Sequence, residues 1–143
     1  MSGEDRVPVY IPKRLYERVS EFIGSPNILQ CSSCSPLGNG LTEVRCKDIK
    51  LIIPYHGEVR KIAISPRDVY ISRERPPGPD VNRLRGEVME VSQVRGIHRI
   101  KVRVGGEELL AELPSEIGEE LDIKGGEEVF LILKFRGLRV LPA

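Results

Sequence analysis

This sequence predicts a mainly β fold, and three features carry that prediction. Short runs in which apolar and polar residues alternate with a period of two recur after about residue 25. Turn-forming residues punctuate those runs at Gly38-Asn39-Gly40, Gly57, Gly96, Gly105-Gly106 and Gly125-Gly126. The longest uncharged apolar run, Val129 to Leu133, is only strand-length, well short of the ~18 residues that span a bilayer.

Taken in order, the chain opens with one amphipathic helix, Lys13 to Ile23. Pro12 suits a first helical position, Leu15, Val19, Phe22 and Ile23 form one apolar stripe, and Gly24 and Pro26 stop the helix. Strands are expected at Asn27–Ser32, Leu41–Lys47, Ile49–Ile53, Arg60–Ile64, Val69–Ser72, Leu84–Ser92, His98–Val104, Glu108–Leu113, Glu128–Phe135 and Leu138–Leu141. The clearest is Arg99-Ile100-Lys101-Val102-Arg103-Val104, basic on one face and aliphatic on the other. A short helix is expected at Ser115 to Ile123, capped by Ser115, acidic early through Glu116, Glu119 and Glu120, with Ile117 and Leu121 on one face. Strands interrupted by one short helix describe an OB-like barrel. The segment Arg75-Pro76-Pro77-Gly78-Pro79-Asp80 cannot lie inside a sheet and reads as a stiff connector. The expected organisation is an N-terminal segment and helix (1–24), a first β unit (25–75) and an OB-like barrel (80–143), with no further repeat visible.

Composition narrows the function. Lys and Arg number 22 against 21 Asp and Glu, a net charge of +1, whereas nucleic-acid binders carry a basic excess or stripe. The chain has no Trp and only 4 Tyr and 3 Phe, few platforms for stacking bases. The one feature favouring an OB-type nucleic-acid binder is the basic face of Arg99, Lys101 and Arg103. Met1 is followed by Ser-Gly-Glu-Asp rather than a basic and then apolar leader, so a cytoplasmic location is expected. No serine elbow or recognisable acid–base motif exists, and His98 has no evident partner, so no catalytic residues are expected.

Several segments bear a family resemblance. Glu21-Phe22-Ile23-Gly24-Ser25-Pro26-Asn27-Ile28-Leu29 resembles the helix end and first strand after the nucleotide-binding domain of ABC import ATPases. Ile62-Ala63-Ile64-Ser65-Pro66-Arg67-Asp68-Val69 resembles their later I-R-P-E-D-I stretch, with Ser65 in place of Arg. Asn82-Arg83-Leu84-Arg85-Gly86-Glu87-Val88, the run from Glu119 to Val129, and Lys134 resemble the oxyanion-binding MOP/TOBE barrel. The resemblance runs from about residue 8 to the end, and it is to the molybdate/tungstate type. It implies a regulatory or dimer-forming region, a homodimer in which the long apolar edges expected at Glu128–Phe135 and Leu138–Leu141 are covered, and association with an ATPase or permease component, peripheral to the membrane. No Gly is followed by Lys, so no G-x-x-x-x-G-K-[ST] phosphate loop exists, and L-S-G-G-Q is absent too. The expected protein is thus the non-catalytic end of such an ATPase, without a cofactor.

The resemblance also implies where an oxyanion would sit. The family's S-A-R-N turn reads here Pro79-Asp80-Val81-Asn82, its T-x-x-S segment Pro114-Ser115-Glu116-Ile117, and its K-A-S segment Lys134-Phe135-Arg136. Asn82, Ser115, Lys134 and Arg136 are the candidate ligand residues that remain. Pro114, Ile117 and Arg136 stand where hydroxyl donors are expected, and Asp80 adds a repelling charge, so the site reads as degraded.

The three cysteines form a second constellation. Cys31, Cys34, Cys46 and His56 have the ligand types of a zinc site, though with irregular spacing. Alternatively, a hairpin of Asn27–Ser32 with Leu41–Lys47 would set Cys31 opposite Cys46, the geometry of a cross-strand disulfide. Free thiols are the third reading.

Overall fold

The computed structural model describes residues 25–142; the helix expected at Lys13 to Ile23 lies outside them. Among the described residues eleven strands follow one another: β1 Asn27–Gln30, β2 Ser33–Gly38, β3 Leu41–Cys46, β4 Ile49–Ile53, β5 Lys61–Ile64, β6 Val69–Ser72, β7 Arg83–Val94, β8 Ile97–Val104, β9 Glu107–Pro114, β10 Glu128–Leu133 and β11 Leu138–Val140. One α-helix, α1 (Ser115–Leu121), separates β9 from β10, and 3-10 turns at Pro66–Asp68 and Phe135–Gly137 introduce β6 and β11. The predicted mainly β class holds, and alternation explains why. Along β8, Ile100, Val102 and Val104 are buried while Lys101 and Arg103 point outward.

The strands assemble into three antiparallel sheets, β1-β5-β11, β6-β10-β7-β8-β9 and β2-β3-β4. This arrangement is a duplication that no run of identical residues discloses. β1 and β2 pair with β5 and β3, and β7 does both jobs as a single strand, pairing with β10 and then β8. A bulge between Val88 and Glu90 lets β7 bend between the two partners. Each half then ends in a 3-10 turn and a strand given to the other half. β6 pairs with β10 beyond the connector, and β11 returns to pair with β5. The proline-rich connector therefore divides the chain but not its sheets.

One continuous core runs through both halves, joining Leu29, Val44, Leu51 and Ile62 to Val88, Ile100, Val129 and Leu131. Each fully buried aliphatic side chain contributes about 1.5–3 kcal/mol of hydrophobic stabilisation. The connector is tied down rather than loose: Arg83 donates to the Pro76 carbonyl at 2.7 Å, and the Arg75 guanidinium lies 5.8 Å from the Phe130 ring centroid.

Three expectations need correction. Asn27–Ser32 does not pair with Leu41–Lys47; β1 pairs with β5, and the partner of β3 is β2. β2 escaped prediction because Ser33-Cys34-Ser35-Pro36-Leu37-Gly38 is an edge strand of small residues, exposed along nearly its whole length. Ser115 does not cap α1: it is the first helical residue, Pro114 holds the cap position, and no side chain caps the helix. Finally, β10 is no exposed edge, because β6 and β7 flank it.

Candidate functional site

The exchanged segments meet where each strand of the duplication begins. Asn82, just before β7, has a left-handed backbone (φ 53°), a conformation asparagine tolerates better than most residues. Its carbonyl accepts from the Leu133 N–H at 2.9 Å. Its side chain is buried and faces the other half of the molecule. Oδ1 accepts from the Ile52 N–H at 2.7 Å, and Nδ2 donates to the Ile52 carbonyl at 2.8 Å. Asn27, the first residue of β1, does the reciprocal thing: Oδ1 accepts from the Leu110 N–H at 2.7 Å, and Nδ2 donates to the carbonyls of Leu110 and Ile64 at 2.9 and 3.2 Å. Ile52 lies in β4 and Leu110 in β9, the matching strands of the two halves. Two amides thus cross-brace the duplication by completing backbone ladders that would otherwise be left open.

Beside Asn82 lies a cavity of about 410 Å³, lined by Arg83, Lys134, Phe135 and Arg136 among others. Three of the four candidate ligand residues, Asn82, Lys134 and Arg136, meet there. The ammonium of Lys134 sits 4.5 Å from the Tyr70 ring centroid, and Arg136 Nη2 donates to the Tyr70 hydroxyl at 3.2 Å. Tyr70 belongs to β6, so both cations are engaged by the strand received from the first half. The cavity carries positive charge and no carboxylate, but none of its lining residues has a Ser or Thr hydroxyl.

The fourth candidate is elsewhere. β7 runs from Arg83, paired with Ile132, to Val94, paired with Ile97, and Ile97 also pairs with Pro114. Ser115 therefore lies at the far end of β7, about 35 Å of strand from Asn82. Its buried hydroxyl accepts from Gln93 Nε2 at 3.0 Å and shares a 3.0 Å hydrogen bond with His98 Nδ1. His98 thus has a partner that no linear motif reveals, because a β-strand and a helix bring the two together.

The zinc set is not assembled. Among the described residues no three His, Cys, Asp or Glu side chains are grouped so as to hold a metal ion. Cys34 stands across from Val44 on the exposed edge strand, and His56 is exposed in the loop after β4. Cys31 and Cys46 do meet, with sulfurs 3.4 Å apart and unbonded. Their closeness comes from the chain path between β1 and β2, not from the hairpin register expected for them. The basic face of β8 is also not free: Arg99 pairs with Glu112 at 2.9 Å, Lys101 with Glu90 at 3.7 Å, and Arg103 stands across from Glu87 and Glu108. Such a face lacks the uncompensated charge that attracts phosphates.

Residues 79–136, covering β7 to the second 3-10 turn, match the TOBE domain. The similarity extends beyond it. Over 124 residues, 87% of the chain, the sequence is 30% identical to the molybdate/tungstate import ATP-binding protein WtpC of Pyrococcus abyssi (strain GE5 / Orsay), of which the match covers 35%. The chain thus spans about a third of that relative's length. Among solved structures, the cytoplasmic molybdate-binding protein ModG in a molybdate-bound crystal form superposes with a TM-score of 0.63 at 16% identity, covering 81% of this chain and 96% of that one. At that identity the likeness concerns the fold. It places the chain in the OB-like class that the strand pattern predicts. Among the described residues no helix is long and apolar enough to cross a membrane.

Proposed function

We propose that this chain is a non-catalytic regulatory module of an import ATPase system of the molybdate/tungstate type, acting on the cytoplasmic side, with a degraded oxyanion site. The similarity to WtpC and the TOBE segment support the system. The single observation that carries the degraded site is the fate of Asn82. Its amide, the one family donor retained in that turn, is spent on both backbone groups of Ile52. An anion entering the cavity would meet Lys134 and Arg136, exposed and held by Tyr70, without the amide and with Ser115 far away.

The size of the loss can be set. Each missing hydrogen bond to a charged group costs about 1.5–3 kcal/mol, so losing two or three weakens binding by several powers of ten. Calorimetric titration with tungstate, with sulfate as control, should show nothing tighter than about 100 µM. A sub-micromolar tungstate isotherm would reject the reading and make the chain a working oxyanion sensor.

The regulatory role is proposed to be exercised as a homodimer. Val94 and Ile117, each 48% exposed, lie at the same end of the five-stranded sheet. That apolar end, rather than β10, is what a second copy would cover. Light scattering at tens of micromolar should give twice the mass of one chain; a monomer mass rejects the pairing.

A further inference from the structure

The cysteines support an inference that goes beyond the transport reading. We infer that Cys31 is a site of reversible thiol modification, at which a small oxidised disulfide exchanges with its sulfur, and that Cys46 resolves the adduct into a Cys31–Cys46 disulfide. The geometry rests on four observations. Cys31 Sγ and Cys46 Sγ are 3.4 Å apart, so a bond of about 2.05 Å requires the sulfurs to close by a little over 1 Å. The backbone around Cys31 is held in that position, since its N–H donates to the Arg60 carbonyl at 2.9 Å and the Ser32 N–H to the Arg45 carbonyl at 2.8 Å. Cys31 is half-buried and lines a cavity of about 460 Å³ with Ser32, Ser33, Cys34 and Arg60. Cys46 is fully buried at the end of β3. The two sulfurs therefore differ in access: a reagent reaches Cys31 first, and Cys46 attacks only from behind.

The steps balance. The Cys31 thiolate attacks one sulfur of the small disulfide, forming a mixed disulfide and releasing one thiolate. The Cys46 thiol passes its proton to that leaving group, and its sulfur attacks the Cys31 sulfur. The protein disulfide forms, and the second small thiolate leaves and takes from solvent the proton that the Cys31 thiol gave up on ionising. Two protein thiols are oxidised and one small disulfide is reduced to two thiols. The environment fits this order, because the hydrogen bond from Cys46 holds the Cys31 thiol below its ordinary value, which favours the nucleophilic thiolate. The same hydrogen bond, more than burial, pushes Cys46 up. Once Cys31 is a neutral mixed disulfide that cause is gone, and Cys46 is released to act. The product would staple the end of β1 to β3, two strands of different sheets.

Full-length reduced chain is equilibrated with graded mixtures of reduced and oxidised glutathione, quenched, alkylated and mapped by mass spectrometry. The expected oxidised species has lost two hydrogens, links Cys31 to Cys46 and leaves Cys34 alkylated. Its melting temperature should rise by about 5–10 °C and fall back on reduction. Cys34→Ser should behave identically, and Cys46→Ala should stop at a glutathione adduct on Cys31. A disulfide that includes Cys34, a persistent glutathione adduct on the unmutated chain, or three thiols that all survive oxidised glutathione would each overturn the assignment. The Cys34→Ser variant keeps the test decisive if Cys46→Ala fails to fold.

Discussion

Replacing Asn82 with alanine should destabilise the chain by about 3 kcal/mol, measured as a lower urea midpoint with an unchanged slope. The substitution removes hydrogen bonds of 2.7 and 2.8 Å and leaves both backbone groups of Ile52 without that partner. A fully buried group so stranded costs about 1–3 kcal/mol, and the Ile52 groups, being only part-buried, fall toward the lower end. Alanine must also adopt the left-handed backbone at φ 53°, which adds about 1–2 kcal/mol, while water reaching the vacated space offsets part of the sum. Asn82→Gly should be milder than alanine, since glycine accepts that backbone and loses only the amide. Asn27→Ala, where φ is not left-handed, should report the hydrogen-bond loss alone. If Asn82 were chiefly a ligand donor, alanine would shift anion affinity and leave stability within about 0.5 kcal/mol. The urea midpoint separates the two roles.

Gly86→Ala should also cost about 3 kcal/mol, by an unrelated route. A Cβ at Gly86 would lie 2.6 Å from Val102 Cγ1, 2.7 Å from the Arg103 carbonyl oxygen and 2.7 Å from Val104 Cγ2. Side chains can turn away, but the Arg103 oxygen belongs to β8, which is paired on both sides and cannot move without opening the sheet. Gly125→Ala is the control, because its nearest neighbour would be the Met89 carbonyl at an ordinary 3.6 Å. A melting curve of Gly86→Ala that matches the control would show that the β7–β8 contact is looser than described.

Local rules explain what was legible in the sequence. Ile49–Ile53 and Val69–Ser72 are observed as predicted because alternation needs only that one face be buried. That same rule is blind to which sheet buries the face. The Val69–Ser72 pattern would be identical whether β6 closed its own half or the other one, so the strand exchange was invisible. β2 was missed for the opposite reason: an edge strand with two wet faces has no pattern to read. At the candidate site, Lys134 and Arg136 are reached through resemblance and do meet, whereas Ser115 is implied by a motif and lies elsewhere. Asn27 escapes a sequence reading because nothing local marks a buried amide as a brace. Its signal is positional, an asparagine at the start of the first strand as Asn82 stands at the approach to the seventh.

The reciprocal exchange has a consequence for anyone cutting the gene. The segment defined by similarity starts at residue 79, after β6 and before β7. Expressed alone, it would present β10 with one side bare, and a version lengthened to carry β11 would offer that strand no β5 to join. Its asparagine would have no Ile52 to hold. The matched segment is half of a clasp, and the smallest piece that can close is the whole described span.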